Sequence, residues 1–149
     1  MHIRDICTIQ TISCNRDETV QGAALLMRKH RVGDLIVVDG SDGDAIPAGI
    51  VTDRDIVISV VALGLDPASL QVGDIMSDDL LTCREEDDVY QTIEHMRVRG
   101  IRRVPVVNGK GALAGIVSAD DLLEFLAEEM GDLSRISGNQ QAHEKRARH

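Results

Sequence analysis

Aromatic residues are almost absent from this chain. Its 149 residues include one Tyr, one Phe and no Trp. Any flat ring that the protein binds must therefore sit between aliphatic side chains and backbone, because aromatic stacking platforms are missing. Long hydrophobic runs are missing too: no stretch approaches a membrane span, and the first residues lack the apolar core of a signal peptide. We therefore expect a cytoplasmic protein.

Cysteine and positive charge are also scarce. Three Cys residues without a pairing pattern agree with a reducing compartment. The formal net charge is −9, and the segment from Asp132 onward carries four basic against two acidic side chains, so the remainder carries −11. A body this acidic repels nucleic acid, so we expect no broad duplex-binding face. A small anionic ligand would need a local cluster of positive groups.

The sequence does contain an internal repeat that covers most of its length. A shift of 69 residues aligns residues 37–40 with 106–109. The shift drops to 66 where Gly49 aligns with Gly115, because the loop 40–48 is three residues longer than its counterpart. Insertions of this kind belong in exposed loops. Since each copy alone is near the size at which a core becomes marginal, we expect the two copies to pack together as one pseudo-symmetric unit.

The most similar part of the repeat joins an apolar run to a helix start. Residues 49–55 read Gly-Ile-Val-Thr-Asp-Arg-Asp, and residues 115–121 read Gly-Ile-Val-Ser-Ala-Asp-Asp. A hydroxyl residue in the N-cap position is followed three residues later by a carboxylate, which is nearly the spacing of a capping box. Taken alone, this pattern indicates a capped helix. Helix starts also favour phosphate or hydroxyl-rich ligands, because their N–H groups and dipole attract them.

Apolar periodicity predicts strand, helix, strand, strand, helix, twice over. We expect both helices of each half on one face of a small mixed sheet, with the free sheet faces buried against each other. The predicted units are 3–66, 72–129 and a polar, mobile C-terminal tail, 130–149. The predicted strands are 8–13, 35–38, 48–51, 80–82, 104–107 and 112–117. The predicted helices are 17–29, 53–62, 87–98 and 119–129.

The tandem pattern resembles the cystathionine β-synthase (CBS) domain pair. The resemblance rests on two apolar strands, Leu35–Asp39 and Val104–Asn108, each followed by the motif Gly-Ile-Val-Thr/Ser-x-x-Asp. The resemblance covers about residues 3 to 129 and is to a free-standing pair. It implies an α/β (α+β) fold of two β-α-β-β-α repeats, packed sheet to sheet with pseudo-twofold symmetry.

For function, the resemblance implies a non-catalytic regulatory module. Its ligand would be an adenine nucleotide (AMP, ADP or ATP) or a relative such as S-adenosylmethionine, with no cofactor and no metal. Binding in the cleft between the repeats would be relayed as a conformational change. The resemblance also implies a homodimer, built as a disc of four domains, and a regulated protein partner that the sequence does not identify.

The resemblance also names site residues. Asp55 and Asp121 would grip the ribose hydroxyls, with Thr52 and Ser118 beside ribose or phosphate. The ring would lie between the first strand and the start of the second strand of the opposite half. For the Asp121 pocket these segments are 10–12 and 32–34, and for the Asp55 pocket 80–81 and 102–104. The candidate ligand-binding residues are Thr11, Ile12, Gly33, Asp34, Thr52, Arg54, Asp55, Leu80, Arg102, Arg103, Val104, Ser118, Asp120 and Asp121.

The two predicted sites differ in charge. Arg102 and Arg103 would supply the local positive field that a phosphate needs, whereas Asp34, at the position equivalent to Arg103, would repel it. We expect the stronger site at Asp121 with both arginines, and a second site at Asp55, with Arg54 as its additional cation.

Simpler interpretations of several of these residues remain open. Arg54 fits a solvated side chain, and Arg102 and Arg103 fit an exposed strand start paired with acids. Cys14 and Cys83 are equivalent but have no metal ligand at suitable spacing, so we expect small buried residues. The terminal residues Arg146, Arg148 and His149 fit either a solvated end or a contact with nucleic acid or a partner.

Three other functions are alternatives to the sensor. One is a scaffold that has lost its ligand, which Asp34 and the overall acidity favour. The second is an enzyme, which the sequence disfavours because it offers no nucleophile–base pair, no Walker loop and no Gly-x-Gly-x-x-Gly. The third is nucleic-acid binding through the tail and a local basic cluster formed by Arg97, Arg99, Arg102 and Arg103.

Overall fold

Two three-stranded sheets form the framework of the protein. The computed structural model describes residues 1–9, 11–40 and 44–147. The first sheet has the order β1-β2-β3 and the second β4-β5-β6. In each sheet the first pair of strands is parallel and the second antiparallel, as the strand–helix–strand–strand order predicts. The strands are β1 (Ser13–Asn15), β2 (Asp34–Asp39), β3 (Ile46–Thr52), β4 (Cys83–Arg84), β5 (Arg103–Val107) and β6 (Leu113–Ser118).

The helices follow the same repeat. The helix before the second strand of each half is capped by a side chain: Thr19 Oγ1 accepts a hydrogen bond from Gly22 N at 3.0 Å, and Asp88 Oδ2 accepts one from Gln91 N at 3.1 Å. The helices are α1 (Val20–His30), α2 (Asp53–Ile56, continued by a π-helical turn Val57–Val61), α3 (Val72–Ile75), α4 (Val89–Arg99) and α5 (Ala119–Ala147). A 3-10 turn, Ile3–Asp5, precedes them.

The last helix is longer than the sequence predicts. We expected it to end at Glu129, but α5 continues to Ala147. The residues after Glu129 contain no proline, and two glycines are tolerated in a helix at a cost of about 1 kcal/mol each. An Arg135–Asp132 ion pair of 3.0 Å stabilises the extension by i,i+3 contact. That the segment 130–149 is mobile stays a prediction, and Arg148 and His149 lie outside the described residues.

The first strand of each half starts later than predicted. The expected strands 8–13 and 80–82 are wrong in position, because β1 begins at Ser13 and β4 at Cys83. Thr8 instead forms an antiparallel bridge with Ile116 of β6, and Ser77 forms one with Ile50 of β3. The residues just before each half therefore pair with the other half.

We call residues 2–8 and 71–77 the two lead-ins. Each lead-in packs on the half that does not directly follow it in the sequence. Ile3 is fully buried in the core of the second half, and its N–H donates to Asp87 O at 3.0 Å. Val72 is fully buried in the core of the first half, and its N–H donates to Glu18 O at 2.8 Å. Each half is thus completed by a segment that precedes the other half in the sequence.

The exchange explains why both copies of the motif begin with glycine. Ile50 and Ser77 exchange two backbone hydrogen bonds, of 3.0 and 2.9 Å. A Cβ added to Gly49 would lie 2.5 Å from Ser77 O, and one added to Gly115 would lie 2.7 Å from Thr8 O. Both distances are well inside van der Waals contact, so only glycine lets the lead-ins approach β3 and β6 this closely.

The central strand of each sheet is buried on both faces. Leu35 and Val37 of β2 pack with the helices of the first half. The alternate residues Ile36 and Val38 are also buried, and Pro105 is fully buried on the corresponding face of β5. Side chains of a strand alternate between faces, so the second face of each sheet packs against the other half. The predicted sheet-to-sheet arrangement is confirmed.

Candidate functional site

The two helix starts have the same local geometry. Thr52 Oγ1 accepts from Asp55 N at 3.1 Å, and Asp55 Oδ2 accepts from Thr52 N at 2.9 Å. Ser118 and Asp121 make the same pair of bonds, both of 3.1 Å. Each carboxylate therefore completes a capping box with Oδ2. Within the described residues its Oδ1 has no hydrogen-bond partner, so that oxygen can accept from a ligand.

One of these helix starts opens onto a cavity between the two halves, which we call the Thr52 cavity. Its volume is about 430 Å³, within the usual range for small-molecule sites. Its apolar walls are aliphatic, as the shortage of aromatic residues predicts. The lining residues are Asp34, Ile50 and Thr52 from the first half and Asp79, Leu80, Leu81, Ile101, Arg102 and Arg103 from the second.

An ion pair joins the halves at this cavity. Arg103 Nη1 donates to Asp34 Oδ1 at 2.8 Å. The two residues are repeat equivalents: Asp34 lies opposite Thr52 in the first sheet, and Arg103 lies opposite Ser118 in the second. The Asp34 side chain is 28% exposed and that of Arg103 44%. The pair is therefore partly desolvated and stands between the two helix starts.

The other charged groups of the lining are also paired. Arg102 Nη2 donates to Asp120 Oδ1 at 3.2 Å, and Arg99 Nη2 donates to Asp79 Oδ1 at 2.7 Å. Arg102 and Asp79 thus have their charges matched by residues just outside the cavity. The lining carries two positive and two negative side chains in all.

The structure brings several of the predicted residues together at one helix start. Leu80, Arg102 and Arg103 line the Thr52 cavity, as expected for the pocket of the first helix start, although the arginines were also expected to serve Asp121. Asp121 lines a separate cleft of about 180 Å³, whose other charged groups, among them Glu124, are all acidic. Arg103 pairs with Ser118 in the second sheet, and Arg102 Nη2 donates to Asp120 beside Asp121. Both arginines therefore lie next to the start of α5 and also line the Thr52 cavity.

The remaining predicted residues lie away from the lining of this cavity. Gly33 O accepts from Asp53 N at 2.9 Å, and Ile12 packs against the first core. Val104 is fully buried in the second core. Arg54 is exposed, and Thr11 is half-buried. Gln10, which was expected at the Asp121 pocket, lies outside the described residues.

Sequence reasoning missed three lining residues, Ile50, Asp79 and Ile101. Ile50 could have been found, because side chains two apart on a strand share a face and Ile50 precedes Thr52 by two. Ile101 immediately precedes the two arginines. Asp79 carries no local signal, since it reaches the cavity only because the second lead-in is exchanged.

The three cysteines, all within the described residues, are free thiols. Cys14 and Cys83 are buried at equivalent positions, which confirms the expectation of small core residues. Burial raises the pKa of Cys14 to about 11 and that of Cys83 to about 12. Among the described residues, no group of three or more His, Cys, Asp or Glu side chains could hold a metal ion. No described helix combines the length and the apolarity that crossing a membrane requires.

The family follows from this repeated arrangement together with one comparison. The family model for the CBS domain matches residues 3–62 and 72–128. The chain belongs to the CBS domain family. The two matched regions correspond to the two sheets with their helices, so the protein is a CBS pair.

Two curated relatives show how far the likeness extends. An uncharacterised protein of Methanopyrus kandleri is 35% identical over 122 residues, which are 82% of this chain and 61% of that protein. Hypoxic response protein 1 of Mycobacterium tuberculosis is 34% identical over 125 residues, 84% of this chain and 85% of that protein. The chain thus spans less than two thirds of the Methanopyrus protein but most of the mycobacterial one.

Solved structures agree with the fold. Hypoxic response protein 1, solved with two coordinated zinc ions, superposes with a TM-score of 0.72 at 32% identity, covering 84% of this chain and 98% of that one. The CBS pair of protein MJ0100, solved in complex with 5′-methylthioadenosine and S-adenosyl-L-methionine, superposes with a TM-score of 0.70 at 25% identity. That alignment covers 87% of this chain and 98% of the MJ0100 chain.

Proposed function

We propose that this CBS pair is a non-catalytic sensor that binds an adenosyl compound in the Thr52 cavity. The observation that carries the proposal is the meeting, in one cavity, of Thr52, the N-cap of a Thr-x-x-Asp helix start, with aliphatic walls from the opposite half. A solved relative, the MJ0100 pair, binds two adenosyl compounds, which supports the same ligand class here. The candidates are AMP, ADP, ATP and S-adenosylmethionine-like molecules.

Each part of the ligand has a complementary group. We assign the ribose hydroxyls to Asp55, whose Oδ1 can accept from a cis-diol, and to Thr52 beside it. We assign the adenine ring to the space between Ile50, Leu80 and Ile101, since aliphatic side chains replace aromatic platforms. No cofactor is needed for this role.

We place the stronger site at Thr52 and Asp55, which reverses the ranking expected from the sequence. The aliphatic walls and both arginines belong to that cavity. The cleft at Asp121 is smaller, and its charged groups, Asp5, Asp121, Glu124 and Glu128, are all negative. Asp121, with Ser118, is then a secondary site at most.

The output of binding would be a change in the relative position of the two halves. The ligand would contact the first half through Thr52 and the second through Leu80, so it favours the arrangement in which both contacts form. A regulated protein would then recognise this arrangement. Cytoplasmic location stays a prediction from composition.

We also propose that the protein is a homodimer, with α5 in the interface. Leu123, Leu126, Met130 and Leu133 follow one another at the 3,4,3 spacing of a coiled-coil seam. Leu123, Met130 and Leu133 are each more than 60% exposed. Leu123 and Leu126 also line the apolar groove between α4 and α5, which contains Met96 and Leu122. A second copy of this helix is the partner whose surface matches such a stripe.

Ligand-induced thermal stabilisation tests the sensor function. We expect an adenosyl ligand to raise the melting temperature, because a ligand at 100 times its Kd stabilises the native state by about 2.7 kcal/mol. Asp55→Ala should abolish the rise, measured against the variant's own ligand-free melting point. Asp121→Ala, which removes the equivalent cap in the other half, should preserve it.

The opposite results favour other functions. If adenosine, AMP, ATP and S-adenosylmethionine at millimolar levels all leave melting unchanged, the scaffold interpretation replaces the sensor. Nucleic-acid binding is disfavoured by the ion pairs of the basic cluster: Arg97 pairs with Glu94, and Arg99 with Asp79. An RNA gel shift that is lost at high salt would nevertheless support it.

A further inference from the structure

We infer that the Thr52 cavity selects adenosyl compounds that carry no phosphate, and that Asp34 is the residue that sets this preference. The ligand class is then a neutral or cationic adenosyl compound, such as a thioether or a sulfonium derivative of adenosine. The inference rests on the proposed function, because it concerns the same cavity.

The first argument is the state of the cations. Each arginine of the lining already has its charge matched by a carboxylate: Arg103 donates to Asp34 at 2.8 Å and Arg102 to Asp120 at 3.2 Å. A phosphate that binds Arg103 must therefore lie beside the Asp34 carboxylate. Two like charges at this distance repel each other, and partial burial limits the screening by salt.

The second argument is the state of the backbone donors at the helix start. Helices bind phosphate through N–H groups that lack intrahelical partners. Here the N–H groups of residues 52–55 are all used by protein acceptors, at distances of 2.8 to 3.1 Å. The acceptors are Asp55 Oδ2 for Thr52, Gly33 O for Asp53, Asp53 Oδ1 for Arg54 and Thr52 Oγ1 for Asp55.

The third argument is what the cavity offers instead. The lining includes the carboxylates of Asp34 and Asp79. Next to Thr52, Asp55 Oδ1 has no hydrogen-bond partner among the described residues and can accept from a ligand. Such acceptors suit ribose hydroxyls and positively charged groups. With a formal net charge of −9, the chain as a whole adds to the preference against anions.

Titration calorimetry with 5′-methylthioadenosine and AMP tests the inference. The two share the adenosyl group and differ in the phosphate. We expect methylthioadenosine to bind the full chain at least about tenfold more tightly than AMP does, which is a difference of about 1.4 kcal/mol in binding free energy. Asp34→Asn should raise AMP affinity about tenfold and leave methylthioadenosine affinity within about twofold, since it releases Arg103 and removes one negative charge. Asp79→Asn is the control, because it removes a lining charge that does not pair with Arg103.

A second measurement needs no variant. If Asp34 repels the phosphate, raising the salt concentration from about 50 to 300 mM should strengthen AMP binding, because repulsion is screened. If the arginines instead bind the phosphate, the same rise in salt concentration should weaken AMP binding.

The outcomes separate the two proposals. AMP that binds as tightly as methylthioadenosine, with affinity that falls as salt rises, overturns the inference and leaves the sensor intact. Failure of both ligands to bind overturns the sensor function itself.

Discussion

At the scale of single residues, the buried thiols of Cys14 and Cys83 give the protein a specific sensitivity to alkali. Burial holds the pKa of Cys83 at about 12, against an ordinary value of 9.0. Between these values the folded state keeps a proton that the unfolded state loses, so the free energy of unfolding falls as pH rises through this window. Below pH 9 both states keep the proton, and the thiol adds no pH dependence.

We therefore predict that Cys83→Ala reduces the loss of stability between pH 9 and 12, as measured by urea unfolding at several pH values. Cys7→Ala is the control, because Cys7 is only half-buried. Labelling at pH 8 should modify Cys7 first, and Cys14 and Cys83 only on unfolding. Equal slopes for both variants would contradict the assignment.

The residue scale also shows what sequence alone can predict about a site. The capping boxes of Thr52 with Asp55 and Ser118 with Asp121 depend on a spacing of three, which is visible in the sequence. The Asp34–Arg103 pair spans 69 positions, and only the packing of the halves brings its members together. The sequence therefore identified both residues as opposite in charge but gave no sign that their side chains meet across the two halves.

At the scale of elements, the pairing of the lead-ins with β3 and β6 depends on glycine. We predict that Gly115→Ala destabilises the protein by about 1–3 kcal/mol, because the new methyl group must displace the backbone carbonyl of Thr8. Gly109→Ala is the matched control, since its methyl group would meet nothing within 4 Å. Chemical unfolding measures both variants, and equal stabilities would show that β6 and the lead-in separate without cost.

Element type was predictable here, and element limits were less so. Apolar periodicity and the N-caps found α1, α4 and the central strands, because those signals are local. The first strands were misplaced because Thr8 has a partner more than 100 residues away. The end of α5 was misplaced because polarity after Glu129 indicates exposure, and an exposed segment can still be helical.

At the scale of the whole molecule, the apolar stripe of α5 predicts self-association. Exposed large apolar residues that form a continuous surface mark an interface. The first part of α5 is strongly acidic, whereas Arg135, Lys145 and Arg146 lie towards its end. An antiparallel pair of α5 helices therefore places opposite charges together, and a parallel pair does not.

We predict that Met130→Glu combined with Leu133→Glu gives a monomer in sedimentation velocity, while the unaltered chain is a dimer. Asn139→Glu, which adds a charge to the same helix away from the stripe, should leave the dimer intact. The melting temperature of the double variant should no longer depend on protein concentration, because a monomer gains no stability from association. A dimer that survives both glutamates would place the interface elsewhere.

The exchanged lead-ins have a consequence for how such a chain could arise. One repeat on its own lacks the segment that fills its core, and its own lead-in has no core to fill. A single ancestral repeat of this design would therefore fold only as a dimer in which two copies exchange their lead-ins. Duplication of its gene would then join two copies that already depend on each other, and the exchange between molecules would become an internal one.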